Sequence, residues 1–235
     1  MTQNIHPEIM EVTFSASSMN VKVENVLSNL GMKLSDADDY ILSLIDQFTI
    51  ECKQLAQPRA SFLFLSEPHF DTIEKNLHIK HQIFHLGKTI TSMLKKSEQV
   101  VIFAATVGDA IEQYSKKQMK EGNSLEGYLI DIMGSELAEN TADHLHNYLE
   151  DLVAKNGLGL SNRYSPGYCN WPVSDQKSLF ELLGQTPCGI SLNASSLMSP
   201  VKSVSGILGL GKGLKRVDYK CRLCTDEKCI LRRQF

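Results

Sequence analysis

Val100-Val101-Ile102-Phe103-Ala104-Ala105-Thr106-Val107-Gly108 is the stretch on which the fold turns. From Val100 to Ala105 it is the longest uninterrupted apolar run in the chain. It is short, rich in β-branched residues and carries no polar alternation. That pattern suits a central strand buried on both faces. Gly108 follows directly, and Asp109 to Gln118 carries a helical pattern. A longer helix is predicted from Leu125 to Leu152, with Leu125, Tyr128, Leu129, Ile132, Leu145, Leu149 and Leu152 along one broad side. Gly157 and Gly159 are placed to break it.

Upstream, Ile9–Phe14 alternates as a short strand and Val21–Leu30 reads as a helix ended by Gly31. Ser35 is a candidate N-cap for an amphipathic helix Asp36–Ala56, on which Ile41, Leu44, Ile45, Phe48, Cys52 and Leu55 share a face. Cys52 is therefore expected in the core. Pro58 stops that helix, Ser61–Leu65 is a strand and Leu86–Lys96 is helical. Downstream, Asn162–Pro172 is rich in turn residues, Leu179–Leu183 is a short helix, and Gly189–Leu192 and Ser203–Leu208 are strands. No repeat or low-complexity linker interrupts the series. A single mixed α+β domain fits it better than two domains.

Composition narrows the class. The 235 residues carry 24 basic and 27 acidic side chains, a net charge of −3, so a strongly basic nucleic-acid coat is excluded. A hydrophobic content of 42% excludes wholesale disorder. No apolar run approaches the roughly 20 residues that span a bilayer, and Met1–Pro7 lacks the features of a signal peptide. Six sparse cysteines point to reduced thiols and a cytoplasmic chain. The charge is uneven: Lys212–Phe235 carries a local +5 against −8 for the rest. Such a tail suits an anionic ligand, a partner or an intramolecular contact, with a solvated terminus as the plain alternative.

The densest cluster of unusual residues is Arg163-Tyr164-Ser165-Pro166-Gly167-Tyr168. Pro166 pushes Ser165 toward an extended conformation, and Gly167 gives the backbone room for a tight turn or a close ligand. Arg163 is suited to gripping a carboxylate by two parallel hydrogen bonds. Tyr168 offers a flat face and a hydroxyl. An ordinary Pro-Gly turn with an exposed arginine is the alternative.

Other constellations carry less. Gly206-x4-Gly211-Lys212 nearly writes a P-loop, but Gly213 replaces the hydroxyl residue that would hold magnesium. A flexible loop or connector over Ile207–Gly213 is the better expectation. His78, His81 and His85 have spacing that could bind a metal on a helix, without acidic or cysteine company. His144 and His146 would point about 200° apart on a helix, one at the core edge and one in solvent. Cys221-x2-Cys224 with Cys229 forms a C-x2-C-x4-C set, for which structural zinc is the default occupant. Cys169, Cys188 or a histidine could complete it, and a metal-free reduced tail is the alternative.

Taken in order, these residues resemble the activation domain of vitamin B12-dependent methionine synthase. The resemblance rests on Arg163-x-x-Pro166-Gly167-Tyr168, Leu179-Phe180-Glu181-Leu182-Leu183, Gly189-Ile190-Ser191-Leu192, Met198-Ser199-Pro200 and Ser203-Val204-Ser205-Gly206. Leu137-Ala138-Glu139 with Ala142 and Leu145-His146 looks like that domain's long helix. Val26-Leu27-x-x-Leu30-Gly31 and Phe103–Gly108 look like the stand-alone proteins of the family, so the likeness covers about residues 20 to 210.

The resemblance implies an α+β domain over residues 1–210, with a twisted, largely antiparallel sheet flanked by long helices; charge and cysteine content set residues 211–235 apart as a basic Cys-rich tail. It implies a module that binds S-adenosylmethionine and supports reductive methylation of the cobalamin of a corrinoid-dependent methionine synthase acting in trans. Flavodoxin or another reductase would supply the electron. Methyl capture by cobalt(I) draws the unfavourable reduction forward, so the domain's own contribution is the positioning of a methyl donor. Arg163 matches the arginine that binds the donor carboxylate, and Glu139 the acidic residue facing its amino-acid end. Ser165, Gly167 and Tyr168 match the backbone contact, the turn and the aromatic wall. The need for an electron makes an iron–sulfur cluster the sharper alternative to zinc at Cys221, Cys224 and Cys229.

The chain departs from the family pattern in three places. The donor-contacting aspartate near the domain's start is not found, a tyrosine-bearing segment is replaced by Ile207–Gly213, and Met-Trp-Pro has become Met198-Ser199-Pro200. A second reading follows: a non-catalytic module that docks on a corrinoid protein and has lost S-adenosylmethionine binding. A nucleic-acid binder using the basic tail is disfavoured by the acidic body.

Overall fold

The structure, a computed structural model, describes residues 8–217. In chain order its elements are β1 (Met10–Thr13), α1 (Val23–Asn29), α2 (Asp39–Leu55), β2 (Arg59–Ser66), β3 (His69–Asp71), β4 (Asn76–Ile79), β5 (Gln82–Phe84), α3 (Gly87–Leu94), β6 (Gln99–Thr106), α4 (Ala110–Lys120), α5 (Ser124–Ala154), β7 (Gly159–Leu160), α6 (Gln176–Leu183), β8 (Ser191–Leu192), β9 (Met198–Ser199) and β10 (Ser203–Gly211). This is an α+β fold. Its main sheet has the order β1-β2-β6-β10-β7, and every neighbouring pair is antiparallel.

The apolar run that opened the sequence reading lies at the middle of that sheet. β6 is buried at every position except Gln99. Both faces are covered, which is why the run shows no polar alternation. Val101, Phe103 and Ala105 face one way with Phe62, Phe64, Leu208 and Leu210, against Ala142, Leu145, Leu149 and Val153 of α5. Val100, Ile102 and Ala104 face the other way with Leu63, Leu65 and Ile207. There they meet Leu77, Phe84, Ile90, Leu94, Trp171, Leu179 and Phe180. The amino-terminal half of α5 runs past the sheet and builds a third cluster with α1, α2 and Ile111 of α4. Burying a side chain of this size contributes about 1.5–3 kcal/mol, and α5 buries such residues in two of the three clusters, joining one face of the sheet to the helical cluster.

Several expectations are corrected. The cap of α2 is Asp38, whose Oδ1 accepts from the Ile41 N–H at 2.9 Å, rather than Ser35. Residues 34–36 form a separate 3-10 turn in which the Ser35 hydroxyl donates to Asp36. Asp38 wins because its side chain sits three residues before a free helical N–H, the geometry a cap requires. His78, His81 and His85 lie on no helix. His78 belongs to β4, His81 to the turn before β5, and His85 to the segment after it. Residues 69–84 form a three-stranded sheet in the order β3-β4-β5, which the sequence reading did not foresee.

The glycine run Ile207–Gly213 is not a flexible loop. β10 extends through Gly211, pairing with β6 from Ser203↔Thr106 to Leu210↔Gln99. Its glycines permit close packing: a Cβ at Gly209 would stand 2.1 Å from the Ser97 hydroxyl. The expected strand Gly189–Leu192 shortens to β8, because residues 187–189 form a 3-10 turn. No helix among the described residues is long and apolar enough to cross a membrane.

Candidate functional site

Two segments meet beside α5: residues 161–164, which follow β7, and residues 214–217, which follow β10. Glu139 and Asp143 are four residues apart on that helix, hence on one face. The chain leaves α5, turns at Gly157 and runs back along β10 as β7. Residues 161–164 continue beside β10. Ser161 N–H donates to Gly209 O at 2.9 Å, and Gly209 N–H donates to Ser161 Oγ at 2.8 Å. Tyr164 exchanges two backbone hydrogen bonds with Ile207, at 3.0 and 2.8 Å. This close approach needs Gly206, where a Cβ would stand 2.3 Å from Tyr164 O. Arg163 is thus held on a fixed backbone with its side chain directed at α5.

Arg163 is not the exposed arginine of an ordinary turn; its side chain is 17% exposed. Nη1 donates to Asp143 Oδ1 at 2.7 Å, and Nη2 lies 3.3 Å from Glu139 Oε2. Arg216, from the segment after β10, donates through Nη2 to the same Asp143 oxygen at 2.8 Å. That segment is fixed next door. Asn162 Nδ2 donates to Val217 O and Asn162 Oδ1 accepts from Val217 N–H, both at 2.8 Å. Gly159 makes room for it, since a Cβ there would sit 2.0 Å from Leu214 O.

The electrostatics separate the two carboxylates. Partial burial works to raise the Asp143 pKa, but the Arg163 and Arg216 guanidiniums outweigh it and hold the group below the ordinary aspartate value. At Glu139 burial prevails over the pull of Arg163, and Asp143 and Glu136 add repulsion, so its pKa is raised. A cation beside Glu139 would offset that repulsion. One turn further along α5, His146 is buried, and its pKa is pushed down to about 4 by that burial and by Arg216 and Arg163. It is the core member of the His144–His146 pair. His144 is half-buried, its ring 5.8 Å from that of Phe14.

The loop that follows is anchored from behind. Gly167 has φ +96°, and its N–H donates to Trp171 O at 2.8 Å. Trp171 N–H returns to Tyr168 O at 2.9 Å. The Trp171 ring is buried edge-on to Phe84, and its Nε1 donates to Asp175 at 3.0 Å. Asp175 also accepts the His85 backbone N–H at 2.6 Å and faces His85 Nδ1 at 3.1 Å. His85 is thus engaged in holding the loop. Tyr168 is 45% exposed, so the loop presents an aromatic ring at the surface from a rigid base.

Of the residues singled out in the sequence, Glu139 and Arg163 are brought together, while Ser165, Gly167 and Tyr168 form the adjoining turn. Asp143, Asn162 and Arg216 were missed. Asp143 shares the helical spacing of Glu139 and could have been found from it; Arg216 belongs to the basic stretch from Lys212 that suited an intramolecular contact, but its charge alone did not single it out. Cys52 is buried as expected, its thiol pushed up to about 12 by burial and the neighbouring Glu51 carboxylate. Cys221, Cys224 and Cys229 lie outside the described residues. Among those described, no three His, Cys, Asp or Glu side chains could hold a metal ion.

Two guanidiniums that donate and two carboxylates that accept, partly open to solvent, can take up a zwitterionic amino-acid end. The model of the family "Vitamin B12 dependent methionine synthase, activation domain" matches residues 79–228. A crystal structure of the MetH reactivation domain bound to AdoHcy matches with a TM-score of 0.60 at 16% sequence identity, over 91% of this chain and 80% of that chain. At that identity the likeness concerns the fold. No curated protein matches the chain.

Proposed function

The chain belongs to the family of vitamin B12-dependent methionine synthase activation domains, and from that membership we propose that it binds S-adenosylmethionine beside α5 and presents it to a corrinoid carried by a methionine synthase in trans. The observation that carries this reading is Arg163, held on a fixed backbone within reach of Glu139. Arg163 would take the donor carboxylate and Glu139 its ammonium. The turn through Ser165 and Gly167 would lie along the donor, with Tyr168 as a wall.

When bound, S-adenosylmethionine supplies an electrophilic methyl group on a sulfonium. The protein's part is orientation. Fixing the amino-acid end by two charge-assisted contacts restricts where the methyl can point, and such restriction lowers a barrier without any acid–base step. The methyl would pass to the reduced cobalt of the partner's corrinoid, and the thioether would be left. The one-electron reductant, a flavodoxin or a comparable carrier, would be supplied by another protein.

The bound AdoHcy of the similar structure supports a donor of this class. The test is calorimetric titration of the full chain with S-adenosylmethionine, alone and with the corrinoid partner. Arg163→Ala is expected to weaken binding by about 2 kcal/mol or more. Wild-type affinity in that variant would remove the site assignment.

One observation favours a second reading. Both terminal nitrogens of Arg163 are already engaged by Asp143 and Glu139. A module that closes its own grip in this way would dock on a corrinoid protein without taking the donor. Co-purification with the corrinoid protein, in the absence of any donor binding, would establish that reading.

A further inference from the structure

On the donor reading just given, the tie to be explained is Arg163 with Asp143. At 2.7 Å it is shorter than the 3.3 Å separation from Glu139. A two-pronged grip on a ligand carboxylate through the Nη1–Nη2 edge of Arg163 turns that edge away from both partners, so Nη1 leaves Asp143 and Nη2 leaves Glu139. Two costs would follow if Asp143 had no other partner. Its carboxylate would keep competing for Arg163. Once abandoned, it would also stand as an unpaired anion beside the arriving carboxylate, and like charges brought together oppose binding.

Arg216 removes both costs. It is already bonded to the same Asp143 oxygen, at 2.8 Å. Its backbone is set by the Asn162–Val217 pair and by the approach of Leu214 to Gly159. We propose that Arg216 is a positioning residue for the donor's amino-acid end, holding Asp143 so that Arg163 can turn to the donor carboxylate. The charges then pair completely: Arg216 with Asp143, Arg163 with the donor carboxylate, and Glu139 with the donor ammonium.

The test titrates the full chain with S-adenosylmethionine and, in parallel, with 5′-methylthioadenosine, which lacks the amino-acid end. Arg216→Ala is expected to weaken the first about tenfold and leave the second unchanged. Arg216→Lys should recover most of the loss. In an Asp143→Asn background the Arg216→Ala effect should shrink to about twofold or less, since its target is gone. An undiminished effect in that background, or an equal loss of methylthioadenosine, would overturn the proposal. So would wild-type affinity in Arg216→Ala while Arg163→Ala loses the donor; the site reading would then survive alone. Donor binding unaffected by Arg163→Ala, or absent even with the corrinoid partner, would overturn the site reading and this inference with it.

Discussion

Asn162 and Val217 are joined as two strand residues would be, but with a side chain on one side. The Asn162 amide donates to Val217 O and accepts from Val217 N–H, both at 2.8 Å. The pairing closes the chain after β10 onto the residue preceding Arg163, and it brings Arg216 onto Asp143. A single asparagine thus couples the last described segment to the candidate site.

Asn162→Ala removes both hydrogen bonds at once. Partly exposed, they are worth about 1–2 kcal/mol together. We expect that loss in denaturant unfolding, with faster hydrogen exchange at the Val217 amide. An unchanged exchange rate there would show that the segment is held by other means.

Gly206→Ala tests the backbone beneath Arg163. The added Cβ would meet Tyr164 O at 2.3 Å and the Phe103 ring at 3.1 Å, in a region where neither can retreat freely. The paired strands must separate locally, at a cost of about 1–3 kcal/mol. Because Tyr164 is the neighbour of Arg163, donor affinity should fall together with stability. Full affinity in a destabilised variant would separate the strand pairing from the placement of the arginine.

The elements most legible in the sequence are those whose pattern is local. β6 declared itself by an unbroken apolar run, and α5 by its length and periodicity. The strands of residues 69–84 did not, since each has only three or four residues with mixed burial. Polar residues and histidines interrupt them, so no period of two is sustained. The glycines of β10 suggested a loop because glycine is usually read as a breaker. Here they mark places where Ser97 and Tyr164 press against the strand, which only the folded partner reveals. The same distinction holds at the site. Glu139 and Asp143 share a helix face that spacing can show. The meeting of Asp143 with Arg216, 73 residues away, is made by topology.

His146 provides the pH-dependent prediction. Its side chain is 1% exposed. Neither ring nitrogen has a hydrogen-bond partner among the described residues, although Nε2 lies 3.3 Å from Glu150 Oε1. The folded pKa is pushed down to about 4 from 6.5 by burial and by the facing Arg216 and Arg163, against the smaller opposing pull of Asp143. Between those values the unfolded chain binds the proton and the folded chain does not. Stability from this group is therefore complete above pH 6.5 and is lost as pH falls toward 4, at up to about 1.4 kcal/mol per pH unit. Asp143, with a lowered pKa, acts in the same direction below the ordinary aspartate value, and Glu139, with a raised one, acts oppositely above the ordinary glutamate value. Comparison with a variant isolates the histidine. His146→Leu replaces two unpartnered nitrogens by a side chain of similar bulk. It should match or exceed the wild type at pH 7 and flatten the fall between pH 6.5 and 4, as measured by denaturant midpoints across that range. Parallel curves for the two proteins would mean that His146 binds its proton equally well in the folded and unfolded chains.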